Sequence, residues 1–106
     1  MGSCRSSGVL TADAVVSAER CKLVSIHAVY TGTTGATTVK VFDNASAASG
    51  TELARLILSG PSGGDPTGMD RSIIEFDMHG VLALNGLFLQ ISTGGGTGAA
   101  VSVEYN

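Results

Sequence analysis

The sequence predicts an all-β fold, an antiparallel two-sheet β-sandwich that is jelly-roll-like and has about seven to nine short strands. Three observations carry this. Apolar residues return at every second position in run after run, which is the side-chain period of a strand. Turn chemistry separates the runs roughly every 8–12 residues. The chain also holds ten valines and ten threonines, and β-branched side chains suit a pleated surface. Helical segments do not recur between the runs, so a parallel βαβ sheet is excluded.

The N-terminal segment 8–18 reads two ways. Asp13 could cap a short helix over Ala14–Cys21, or Val9-Leu10 and Val15-Val16 could be two short strands. The valine and threonine content favours strands. Residues 22–31 (KLVSIHAVYT) place Val24, Ile26, Ala28 and Tyr30 on one face and Leu23, Ser25, His27 and Val29 on the other. After the Gly/Thr turn TGTTGA comes TTVKVFD, with Val39 and Val41 facing opposite to Lys40. Asp43-Asn44 opens a loop that closes at Gly50, which is free to take positive φ.

TELARLILS at 51–59 fits a helix through Leu53, Leu56 and Ile57, or a strand through Glu52, Ala54, Leu56 and Leu58. Gly50 and Gly60-Pro61 confine it to a length that suits a strand of roughly 4–8 residues better than a helix. The breaker-rich stretch GPSGGDPTGMD holds both prolines and no regular element. RSIIEFDM alternates again, with Ile74, Phe76 and Met78 opposite Ile73, Glu75 and Asp77. His79-Gly80 is expected to turn the chain. Asn85-Gly86, between VLAL and LFLQIS, is the strongest tight-hairpin signal, because both central residues of such a turn need φ > 0. Leu87, Leu89 and Ile91 are expected to point inward, and after TGGGTG so are Val101, Val103 and Tyr105.

A chain of 106 residues is one domain's worth, read here as an N-terminal arm at 1–8 and a single sandwich at 9–106. Charged residues are 14% of the chain, a low share that leaves Ser, Thr, Gly and Ala to cover the surface. Such a surface is cheap to desolvate against partners. Net charge is −3, the basic residues are scattered and Trp is absent, which argues against nucleic acid. No apolar run reaches the roughly 18–20 residues of a bilayer span, and the start lacks a signal-peptide pattern. Neither a membrane nor a nucleic-acid partner is therefore expected.

No constellation of reactive residues reads as a catalytic or cofactor site. Cys4 and Cys21 have no CxxC or Cys/His context, so no metal is expected there; a buried thiol at Cys21 and an incidental one at Cys4 is the simplest reading. His27 reads as a histidine on a sheet face and His79 as one in a turn. Ser25 and Asp77 lack the setting of a nucleophile and its orienting acid. Glu75 and Asp77 share a strand face, which suits a charged edge better than a calcium cage. Asp65 and Asp70 are a second, weak calcium candidate. TGGGTG lacks the helix and lysine of a phosphate cradle. Asn44-Ala45-Ser46 matches a glycosylation sequon without a secretory signal. MGSCRS matches a myristoylation pattern at Gly2, with Cys4 placed for a second acyl chain; an unmodified arm is the expectation.

Two stretches carry a resemblance. VYTGTTGATTVKVFDNASAASGTEL and GVLALNGLFLQISTGG resemble the short Gly/Thr/Val-rich virion proteins of tailed bacteriophages, over roughly residues 20–106. The resemblance implies a β-sandwich located on the virion, most simply a capsid decoration or cement protein. Its partner would be the major capsid protein or another virion protein, it would form a homo-oligomer, and it would have no cofactor and no enzymatic activity. A tail or neck component, or a carbohydrate- or receptor-binding module, is the alternative. Segments rich in breakers that project from a rigid scaffold commonly carry recognition. The expected contacts are therefore Cys4 and Arg5 in the arm and Pro61, Ser62, Asp65, Pro66, Met69 and Asp70 in the long loop.

Overall fold

The computed structural model describes residues 4–31, 36–59, 73–93 and 98–106. Among the described residues are eight strands: β1 (Arg5–Ser6), β2 (Ala14–Ser17), β3 (Cys21–Tyr30), β4 (Ala36–Asp43), β5 (Thr51–Ser59), β6 (Ile73–Ala83), β7 (Leu87–Thr93) and β8 (Ala99–Tyr105). They form two four-stranded antiparallel sheets. Sheet A has the order β1-β8-β3-β6 and sheet B the order β2-β7-β4-β5. Among the described strands, the β4–β5 hairpin joins sequential strands within one sheet and the other connections pass from one sheet to the other. This winding is that of a jelly roll. The predicted fold class holds, and the segment 51–59 is a strand.

The core lies between the sheets. Leu23, Ile26, Tyr30, Val101 and Val103 enter it from sheet A, and Val39, Val41, Leu56, Leu58, Leu87 and Leu89 from sheet B. Each large side chain fully removed from water contributes about 1.5–3 kcal/mol, which makes this interior the main source of stability. Leu87, Leu89 and Val101 point inward as their alternation predicts.

Elsewhere the structure corrects the sequence. Val24 is a bulge. Against β8, Leu23 pairs with Tyr105 and Ser25 with Glu104, which leaves Val24 as an extra residue; against β6, Leu23 pairs with Val81 and Ser25 with Asp77, so Met78, His79 and Gly80 lie opposite it. The extra residue reverses the phase of β3. Cys21 and Leu23 point inward before the bulge, and Ile26, Ala28 and Tyr30 after it. Leu23 is thus fully buried and Val24 half-buried, the reverse of strict alternation. The same irregularity absorbs His79-Gly80. They do not end a strand but sit within β6 at φ 55° and 81°, where the Asp77 carboxylate accepts the His79 N–H at 2.9 Å.

Asn85-Gly86 is not a hairpin. β6 and β7 belong to different sheets, and Asn85 lacks the positive φ that a tight hairpin needs. Gly86 instead passes so close to the backbone of Ser17, Asn44 and Ala45 that no side chain fits. Asp43 pins this corner. Its carboxylate accepts the N–H groups of Asn85 at 2.7 Å and Leu84 at 3.1 Å, which holds it below the usual carboxylate range.

At the N-terminus there is no helix for Asp13 to cap. Its carboxylate accepts the Ile91 N–H at 2.8 Å and so continues the β7 edge beyond the end of β2. Val9 lies outside any strand, and Leu10 makes a single bridge to Val101. Residues 5–6 run as β1 along β8, and Ser7 extends the contact through its N–H to the Val103 carbonyl and its Oγ, which accepts the Val103 N–H. Cys4 and Cys21 are both free thiols, exposed and buried respectively. Burial raises the Cys21 pKa, against a hydrogen bond from Ser17.

Candidate functional site

The outer face of sheet A carries the densest set of interacting polar side chains on the described surface. Strand pairing sets it out in rows. Ala100, Val29 and Ile73 form the first row, Ser102, His27 and Glu75 the second, and Glu104, Ser25 and Asp77 the third. Each member lies about 4.5–5.5 Å from its cross-strand neighbour, within reach of direct contact. One apolar row therefore borders two rows that hold three carboxylates.

His27 is the centre of this face. Its Nε2 lies 3.1 Å from Glu104 Oε1 and 3.3 Å from Ser25 Oγ, and its Nδ1 lies 3.8 Å from Glu75 Oε1. Ser25 Oγ donates to the same Glu104 oxygen. The hydrogen bond from Ser25, then that from His27, lowers the Glu104 pKa. Although Ser25, His27 and Glu75 resemble the members of a nucleophilic triad, their hydrogen bonding is different. The Ser25 proton is committed to Glu104 and not to the imidazole. β3 is paired on both sides, so its own N–H groups serve the two ladders and not an oxyanion.

Two open hollows flank His27. One, of about 200 Å³, is walled by Val9, Val29, Ile73 and Ala100 with Glu75 at its rim. The other, of about 290 Å³, lies among Ser25, Phe76, Asp77 and Glu104. Val9 and Ile73 are about three-quarters exposed, at 73% and 74%, which is unusual for side chains of this type. Among the described residues, no group of three or more His, Cys, Asp and Glu is arranged to hold a metal ion. Asp77 and Glu75, the predicted pair, do share the outer face of an edge strand. Asp77 is engaged with His79, whose Nδ1 is 3.5 Å away.

The outer face of sheet B has a different character. Lys40, Arg55 and Gln90 form one row, with Thr38, Ile57 and Ser92 beside it. Arg55 holds Glu52 through two hydrogen bonds of 2.8 and 2.9 Å. Phe42 is 9% exposed, paired with Phe88, which also pairs with Val15. Ile57 is 63% exposed.

Of the residues expected to make contacts, Cys4 is exposed and Arg5 lies in β1 opposite Tyr105. Pro61, Ser62, Asp65, Pro66, Met69 and Asp70 lie outside the described residues, as do Gly2 and most of TGGGTG. The sequon asparagine is tied into its own loop. Its Oδ1 accepts the N–H groups of Ser46 and Ala47, and its amide donates to the Ser49 carbonyl. Sequence reasoning missed the Ser25–His27–Glu104 group, because Glu104 is 77 residues from His27 and only the β3–β8 register brings them together. Compared with known proteins, the chain matches no family model, no curated protein and no solved structure.

Proposed function

We propose that this chain is a structural protein of a bacteriophage particle, a cement or decoration protein that binds the major capsid protein and stabilises the shell without catalysis. The observation that carries the reading is the contrast between a filled interior and an exterior that, in a chain only 14% charged, exposes Val9, Ile57 and Ile73. A rigid scaffold presenting apolar side chains among Ser, Thr and Ala loses little on desolvation and gains on contact. A cement protein acts in this way, stabilising the assembled shell because it binds that state and not the dissociated one. Jelly rolls also recur in viral shells, and by that analogy the architecture suits the role.

Two further observations favour this reading over its competitors. Ser25 donates to Glu104, whose lowered pKa makes that carboxylate a weak base, which supports a role without catalysis. A sugar-binding module would offer a platform of exposed aromatic faces, but Tyr30 is 1% and Phe42 9% exposed, which leaves Phe76, at 44%, to present one ring.

Quantitative mass spectrometry of purified virions tests the proposal. The expected result is a copy number in proportion to the capsid subunits, together with shells that rupture at lower temperature when the protein is missing. A few copies per particle would move the protein to the tail or neck. Its absence from purified particles would overturn the proposal.

A further inference from the structure

We infer that copies of this chain associate head to tail, the outer face of sheet A of one copy seating on the outer face of sheet B of the next. The inference stands on the two faces themselves and holds whatever particle or partner the protein serves.

The faces are complementary in charge. Sheet A presents Glu75, Asp77 and Glu104 around His27, with Lys22 only at the far end of β3. Sheet B presents Lys40 and Arg55; Arg55 and Glu52 balance each other, so Lys40 gives the row its net positive charge. Two carboxylates of sheet A are well exposed; the side chains of Glu75 and Asp77 are 73% and 68% accessible. Like charges would set two copies of face A apart, so a symmetric contact through that face alone is disfavoured.

Their apolar spacing also matches. On edge strand β6, Ile73 lies two residues from Glu75; on edge strand β5, Ile57 lies two residues from Arg55. Two residues along a strand span about 7 Å. One register therefore sets Ile57 against the hollow walled by Val9, Val29 and Ile73 while it sets the row of Lys40 and the Arg55–Glu52 pair against Glu75 and its neighbours, Lys40 supplying the unbalanced charge. The apolar pair supplies the favourable burial and the charges select the partner face. A contact between two different faces is heterologous, so it builds a closed ring or an open stack and not a two-fold dimer.

The test uses the full chain and two substitutions at exposed positions. Ile73→Asp blocks face A, and Ile57→Asp blocks face B. Circular dichroism confirms that both variants keep the strand signal. In sedimentation equilibrium, the mass of the wild type should rise with concentration. It should fall as salt goes from about 0.1 M to about 1 M, which shortens the Debye length from about 10 Å to about 3 Å. Each variant alone should be monomeric. Mixed, they should form one-to-one pairs that grow no further, because the mixture holds one intact face of each kind. Three results would overturn the inference: a wild-type monomer at about 1 mM, assembly lost in only one of the two variants, or variants that fail to pair on mixing while the wild type assembles.

Discussion

Gly86 and Ser17 meet backbone to backbone. A Cβ placed on Gly86 would lie against the Ser17 carbonyl oxygen, closer than real Cβ contacts come, with the Asn44 carbonyl and Ala45 Cα also in its way. This packs the link between β6 and β7 against the β2 end and the β4–β5 loop. The contact is made of main chain on both sides, so rotamer changes cannot relieve it.

Gly86→Ala is therefore expected to cost roughly 2–3 kcal/mol, through overpacking and through a φ of 145° that an alanine resists. For a domain of this size that lowers the melting temperature by on the order of 10–20 °C. Thermal unfolding followed by circular dichroism checks it. A melting temperature within a degree or two of the wild type would mean that the corner is looser than described.

The bulge at Val24 makes a paired prediction. Leu23 is fully buried, so Leu23→Ala should cost about 2–5 kcal/mol by losing apolar contacts and leaving a cavity. Val24→Ala should cost under about 1.5 kcal/mol, since its side chain is only half-buried. Urea titrations of both variants decide the matter. Equal costs, or a reversed order, would restore strict alternation and remove the bulge.

Thr37 is the buried polar side chain in the core, with its Oγ1 making no hydrogen bond among the described residues. Thr37→Val replaces the hydroxyl with a methyl of similar size. Removing an unsatisfied polar group should stabilise the fold by about 1 kcal/mol. Loss of stability in the same assay would show that the hydroxyl has a partner.

Acid should loosen the molecule through carboxylates whose pKa the fold lowers, Asp43 and Glu104 among them. Hydrogen bonds from the Asn85, Leu84 and Gly86 backbone hold Asp43 below its ordinary value of 3.8, and those from Ser25 and His27 hold Glu104 below 4.5. A carboxylate with a depressed folded-state pKa contributes stability that is complete above the unfolded-state value. That contribution is lost as pH falls through the folded-state value. Stability should thus begin to fall below about pH 4.5 and go on falling below 3.8. Asp43→Asn and Glu104→Gln should each be less stable near neutrality and show a shallower acid slope than the wild type. Unchanged slopes in pH-dependent urea unfolding would contradict these hydrogen bonds.

The sequence by itself determined the class of fold, because alternation is a property of the extended backbone and needs no partner. Leu87, Leu89 and Val101 read correctly for that reason, and so did the strand at 51–59, whose bounding Gly50 and Gly60-Pro61 lie within one local stretch. Only the tertiary structure decided what depends on a neighbouring strand. Val24 and His79-Gly80 form one irregularity across two strands, and neither strand alone shows which residue is unpaired. Asn85-Gly86 has hairpin chemistry but joins two sheets, because Gly86 answers to the backbones it passes and Asp43 takes up its neighbours' N–H groups. The cluster around His27 was hidden in the same way. Its members alternate along three strands, and whether they meet depends on register, which is set by the packing of the whole interior.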